Sequence, residues 1–158
     1  MTSAELVQPA RRIDLAAVAP ELYRAMLGLE NAVRQAGLEK PLLELVKTRA
    51  SQINGCAFCL DMHTKDALHA GETPQRLFAL DAWEEAPFFT ARERAALGLT
   101  DAMTRIAETH VPDEAWNAAA EQFDDHELAA LVFAITTINA WNRISISSRA
   151  TAGSYEPS

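Results

Sequence analysis

Cysteine is scarce in this chain of 158 residues: there are two. A small secreted domain stapled by disulfides needs more, so that class is excluded. Positive charge is also in short supply, with 14 Lys and Arg against 22 Asp and Glu, a formal net charge of −8. Nucleic-acid affinity comes mostly from neutralising phosphates with Lys and Arg, and an anionic membrane surface makes the same demand, so neither is an expected partner. Spanning a bilayer takes roughly 20 consecutive apolar residues. The longest apolar run, near Leu128–Ile138, falls far short of that. The stretch MTSAELVQPARRID has no unbroken apolar segment, so no signal peptide is read. No repeat, linker or low-complexity tract stands out. What is present is a composition 49% hydrophobic, enough for a core, at a length that fits one domain. The expectation is a soluble, cytoplasmic, single-domain protein.

Ala, Leu, Glu and Arg dominate the chain and no β-branched alternation is sustained, so the fold class is all-α. Residues 1–19 show no clear period and are read as an extended N-terminal arm. The helical domain covers 20–150, and 151–158 reads as a loose tail. Pro20 fits a first helical position and Gly37 a stop, with Leu22, Met26, Leu29 and Val33 forming a stripe. A second helix covers about Lys40–Asn54 and is broken by Asn54-Gly55. A third begins near Cys56 and ends at Gly71, and a fourth opens on Thr73-Pro74. A fifth starts at Thr90, with Glu93 completing a capping box, and runs to about Thr109. A short helix follows Pro112, carrying Trp116 and Phe123. The last starts at Asp124 or Asp125, with Glu127 as the capping partner, and runs to about Ser148. It is apolar nearly all round from Leu128 to Ala140. Such a helix must be covered on most sides, which hints at oligomerisation.

Both cysteines fall in Gly55-Cys56-Ala57-Phe58-Cys59-Leu60-Asp61-Met62-His63. The spacing is C-x-x-C, and the break at Gly55 puts the pair in the first turn of a helix. At i and i+3 the two sulfurs share a face and can close a disulfide. The open N–H groups and dipole of a helix N-terminus stabilise a thiolate. His63, four residues beyond Cys59, leans back toward it and can serve as its base. Two other readings stand beside this one. The cysteines could pack as small apolar residues with His63 at the surface. Alternatively, Cys56, Cys59 and His63 could supply three ligands to zinc, although nothing nearby completes the tetrahedron.

Glu44 lies on the preceding helix among Leu42, Leu43, Leu45 and Val46. If the two helices pack as a hairpin, it could face the cysteines and shuttle protons. Periodicity alone favours an exposed carboxylate instead. Lys47 and Arg49 read as surface or ion-paired. Trp83, Trp116 and Trp141 read as core or interface anchors. His110 and His126 read as solvated or capping groups. Asn139 and Asn142 interrupt an apolar helix, so each needs a buried partner, which a subunit contact could supply.

The run Glu44 to Thr64 resembles the core motif of AhpD-like alkylhydroperoxidases, in the carboxymuconolactone decarboxylase superfamily. That motif is Glu, eleven residues, Cys-x-x-Cys, three residues, His, and Glu44, Cys56, Cys59 and His63 match each position. Ile138-Asn139-Ala140-Trp141-Asn142-Arg143 is similar to the family's C-terminal helix. The resemblance extends from about Leu22 to Arg149. It implies an AhpD-like helical bundle that assembles into homo-oligomers, commonly trimers or hexamers. It implies a peroxidase that reduces hydroperoxides through a thiol pair without cofactor or metal and is recycled by an external dithiol reductant. Carried over, Cys59 is the peroxidatic cysteine, Cys56 the resolving one, and Glu44 with His63 the proton relay. One position departs: Phe58 stands where characterised members carry a second histidine, and phenylalanine moves no protons. Two other functions are weighed. A carboxymuconolactone-decarboxylase-type enzyme would use acid–base chemistry and need no thiols. A redox-switched helical binding protein would oxidise once and stop.

Overall fold

A computed structural model of the chain describes residues 7–157. Every regular element among the described residues is helical. A single turn, α1 (Leu15–Val18), leads into α2 (Pro20–Arg34), α3 (Lys40–Asn54) and α4 (Ala57–His69). Then come α5 (Pro74–Ala79), a 3₁₀ turn at Leu80–Ala82, and α6 (Ala91–Thr104). The chain ends through α7 (Ile106–Thr109), α8 (Asp113–Gln122) and the long α9 (Asp125–Ser148). No helix among the described residues is long and apolar enough to cross a membrane.

The ends form where local chemistry dictates. Thr90 with Glu93, and Asp124 with Glu127, make reciprocal capping boxes. The Thr73 hydroxyl accepts from the Arg76 N–H, and Pro74 fills the first turn of α5. Gly55 ends α3 at φ +67°, a left-handed conformation that costs glycine little. That turn reverses the chain so that α4 runs back along α3.

Several expectations are corrected. The arm is not extended throughout, because the Asp14 carboxylate accepts from the Ala17 N–H and nucleates α1. The fifth helix does not run unbroken to Thr109: it stops at Thr104 and restarts at Ile106. On α2, Leu22 is 73% exposed, while Glu30 joins Val33 on the buried side. The tail is fastened rather than loose. The Tyr155 hydroxyl donates to Asp66 (2.7 Å), Lys65 donates to the Tyr155 carbonyl (2.8 Å), and the Gly153 N–H donates to Asp61 (3.0 Å). Within the single chain α9 buries one broad side and leaves Phe133 56% exposed. Asn139 and Asn142 find their partners inside this chain, on α3 and α6, without a subunit contact.

The organising element is α3. It packs against α4, α6 and α9, and every residue from Leu42 to Ser51 is buried. Leu42 and Val46 join Leu99, Leu131 and Ile135 in one apolar cluster, and Leu45 joins Leu77, Leu80 and Leu97 in another. Each such side chain contributes about 1.5–3 kcal/mol by leaving water. Most polar residues of α3 enclosed with them are paired, which offsets their burial; the Thr48 hydroxyl is the exception. Arg49 donates to Asp101 through two nitrogens (2.7 and 2.8 Å) and to Asp81 (2.5 Å). Lys47, only 1% exposed, pairs with Glu30 of α2. Burial by itself would raise the Glu30 carboxyl, but the Lys47 ammonium beside it outweighs that and holds it below its ordinary value.

The two carboxylates on Arg49 differ in worth. Asp101 is largely enclosed, whereas Asp81 is 80% exposed. Asp101→Ala leaves a buried guanidinium short of its bidentate partner and should cost about 3 kcal/mol. Asp81→Ala should cost less than about 1 kcal/mol. Urea unfolding of the two variants checks the ranking, and equal losses would refute it.

Candidate active site

Gly55 delivers Cys56 to the cap position of α4, where its Sγ accepts from the Cys59 N–H at 3.4 Å. Cys59 sits in the first turn above it, and His63 follows one turn later on the same side. Both cysteines are free thiols, 1% and 3% exposed, in a small cluster with Ala50 and Ile138 against which Phe58 and Trp141 pack. The core-packing reading is therefore correct about their burial. It fails for His63, which is enclosed rather than at the surface.

Glu44 is buried, against the expectation from periodicity. An amphipathic pattern assigns polar residues to solvent, but α3 has no solvent side at this level. The Glu44 carboxylate lies 2.9 Å from His63 Nδ1. With that oxygen accepting, the imidazole carries its proton on Nδ1 and leaves Nε2 as the free basic nitrogen. Asp66, one turn beyond His63, brings a carboxylate oxygen to the same place. Ligand atoms of Glu44, His63 and Asp66 lie within 4.8 Å of one another. This donor set is not the Cys56, Cys59 and His63 set that spacing raised for zinc. Two of its atoms are already engaged, His63 Nδ1 by Glu44 and an Asp66 oxygen by Tyr155.

The sulfurs are electrostatically unequal. The Cys56 thiol is brought down to about 7, chiefly by the hydrogen bond that the Cys59 thiol donates to it, with burial opposing and the Cys59 backbone N–H assisting. Cys59 is pushed up because it is that donor and because it is buried. The two titrate as one coupled pair in which Cys56 is the more acidic sulfur. The more acidic sulfur is thus Cys56 and not Cys59, the one the sequence pairs with His63. The cap position assists, since the Cys56 sulfur also accepts from the Cys59 N–H.

A cavity of about 440 Å³ opens over the site, lined by Cys59, His63 and Ser145 but not Cys56. Its apolar walls come from Tyr23 and Leu27 of α2, Phe58 and Met62 of α4, and Trp141 and Ile144 of α9. Tyr23 and Trp141 meet edge to face at 5.2 Å. Residues of the arm and the tail, including Arg11, Leu15 and Tyr155, close its rim. The Tyr155 hydroxyl is pushed up to about 12 by burial and by its bond to Asp66. Asp66 and Tyr155 were not singled out from the sequence. Asp66 was within reach, three residues past His63 on one helix face, but nothing in a short tail marks Tyr155. Trp83 is buried, whereas Trp116 is 42% exposed and anchors no core. His110 and His126 are exposed and lie at or beside helix ends, away from the site.

The sequence pattern of the carboxymuconolactone decarboxylase family matches residues 20–102, more than half of the chain. The uncharacterized protein YdfG of Bacillus subtilis (strain 168) is 43% identical over 136 residues, covering 86% of this chain and 92% of YdfG. ATU0492 of Agrobacterium tumefaciens, a protein of unknown function proposed to be the antioxidant defence protein AhpD, superposes with a TM-score of 0.89 at 43% identity. That alignment covers 92% of this chain and all of the other. The debrominase Bmp8 superposes with a TM-score of 0.78 at 18% identity, covering 87% of this chain and 74% of its own. At that identity the likeness is one of fold. Through the family pattern and the relatives that share its sequence over most of its length, the chain belongs to the carboxymuconolactone decarboxylase family as an AhpD-like member.

Proposed function

We propose that the protein is a thiol-dependent peroxidase that reduces organic hydroperoxides through Cys56 and Cys59. The observation that carries this reading is the meeting, at one cavity, of a sulfur from a hydrogen-bonded cysteine pair with an imidazole held by a buried carboxylate. The pair gives up one proton, and His63, steadied by Glu44, takes it. Shifting the remaining proton from Cys59 to Cys56 along the S–H···S contact moves the negative charge to Cys59, the sulfur that faces the cavity. The Cys59 thiolate attacks the distal oxygen of ROOH and the O–O bond breaks. Cys59 becomes a sulfenic acid, and RO⁻ takes the proton held by His63 and departs as ROH. The Cys56 thiol then condenses with the sulfenic acid, forming the Cys56–Cys59 disulfide and releasing water.

Recycling needs an external dithiol. Its thiolate attacks Cys59 from the cavity, and Cys56 leaves as the more acidic thiol. A second exchange yields the oxidised dithiol and two protein thiols. The cavity is many times the volume of a water molecule, about 30 Å³ in the liquid, and its walls are mainly apolar, which favours an organic peroxide over hydrogen peroxide. With Phe58 in place of a second histidine, the relay rests on His63 and Glu44 alone. Lactone decarboxylation, the reaction in the family's name, uses no thiol. The acidity built into Cys56 favours the redox reading over it.

The reading includes assembly into a homo-oligomer, a trimer or hexamer. The exposed apolar side chains of Leu22, Phe78 and Phe133 support it, since each gains by burial against another copy. Light scattering should give a mass several times the 17.3 kDa of one chain, and a monomer at micromolar concentration would contradict this.

One equivalent of hydroperoxide should remove two hydrogens from the intact mass and both free thiols. Cys59→Ser should abolish turnover, and Cys56→Ser should stop at a sulfenic acid on Cys59 that dimedone captures. Full turnover by Cys59→Ser, or activity surviving thiol alkylation, would end the proposal. Glu44→Gln and His63→Gln should each slow turnover by about 10²–10⁴-fold while the protein stays folded.

The thiol with its pKa lowered to about 7 sets a pH profile. Alkylation by iodoacetamide should rise as pH increases through about 7 and level off above it. A rise centred near 8.5, the ordinary cysteine value, would refute the asymmetry of the pair.

A further inference from the structure

The charge on the sulfur pair is buried, and the groups named so far account for only part of what holds it there. The rest comes from α9. Asn142 is wholly buried, and its amide is oriented by its neighbours. Its Oδ1 accepts from Asn54 Nδ2 at 2.9 Å, and one of its N–H groups donates to Ser51 Oγ at 3.0 Å. Ser51 in turn donates to the Lys47 carbonyl, and the other Asn54 N–H is engaged by Asn139, so this network can turn in no other sense. Asn142 is therefore left with a single N–H to give. Ile138, one turn earlier on the same face of α9, packs with both cysteines, and hydrogen bonding from Asn142 and from Ser145, three residues further along that face, acts to bring both thiols down. Ser145 also lines the cavity beside Cys59 and is itself only 7% exposed.

We propose that Asn142 and Ser145 form a two-donor anion site for the sulfur pair and that both are catalytic residues of the thiol chemistry. The site serves either sulfur. When the proton moves from Cys59 to Cys56 and the charge moves the other way, the donors stay within reach of it. The transfer that arms Cys59 therefore needs no water and no rearrangement of α9. A buried thiolate without such donors would take back its proton, as burial disfavours the charged form. The same donors face the leaving Cys56 thiolate when the disulfide is reduced. This inference rests on the redox role of the pair, but its first readout, thiol acidity, does not require a peroxide.

The test is a thiolate titration by absorbance at 240 nm, paired with the rate of iodoacetamide alkylation at pH 6.5, on the full chain. Ser145→Ala should move the titration upward by about one unit and slow alkylation about tenfold, since a hydrogen bond to a charged acceptor has that size. Ser145→Thr, which keeps the hydroxyl, should restore both. Asn142→Asp, which replaces the donor by an acceptor, should move the titration further upward. If that variant does not fold, the two Ser145 variants decide alone. A Ser145→Ala titration superimposable on that of the parent overturns the proposal. If the titration moves as expected while the parent consumes no hydroperoxide, the donor site stands and the peroxidase reading falls.

Discussion

The structure depends on the complete enclosure of α3. A helix buried from Leu42 to Ser51 cannot send its polar side chains to water, and all of them but Thr48, whose hydroxyl is buried without a partner, are met by a neighbouring helix. Glu44 takes His63 from α4, Lys47 takes Glu30 from α2, Arg49 takes Asp101 from α6, and Ser51 takes Asn142 from α9. These contacts fix how the four surrounding helices sit around the centre. Apolar burial supplies the driving force, and the polar pairs specify which helix lies where. The pairs are worth less as stability than as registry, because each also carries the desolvation of its own charges.

The site is a by-product of that registry. Glu44 and Ser51 lie two turns apart on α3 and pair with His63 of α4 and Asn142 of α9. His63 stands one turn above Cys59 on α4, and Ile138 of α9 packs with both cysteines. The result is a buried, coupled thiol pair with one sulfur facing a largely apolar cavity that His63, held by Glu44, also lines. Each component is ordinary in isolation: a helix cap, a His–Glu contact, an interhelical asparagine. Their convergence on two sulfurs gives the arrangement its chemistry.

Much of this was legible in the sequence, and the legible part was local. The capping boxes at Thr90 and Asp124, the stop at Gly55 and the first-turn position of the cysteines depend on residues within four positions of one another. The C-x-x-C spacing and His63 are local in the same sense. What the sequence hid was non-local. Glu44 reads as exposed because its own helix cannot reveal that three others cover it, and only likeness to a known motif pointed the other way. Lys47 reads as surface or ion-paired, and the ion pair with Glu30 is the one that forms, inside the fold. Asn142 was marked as needing a partner, but the partner was sought on another subunit because nothing local connects it to Ser51 or Asn54. Tyr155, in a tail of small and polar residues, had no signal at all, and its role at the rim follows from its bond to Asp66. The unequal acidity of the two thiols is hidden too, since it arises from which sulfur caps the helix and which donates.

The central claim is that Cys56 and Cys59 form one reversible two-electron couple inside this frame. Equilibrating the native protein across a series of glutathione redox buffers, then counting free thiols by mass, tests it most directly. The account predicts a single transition with a two-electron slope, in which both thiols disappear together and return on reduction. Thiols that stay free at every potential, or that end as separate glutathione adducts, would contradict it.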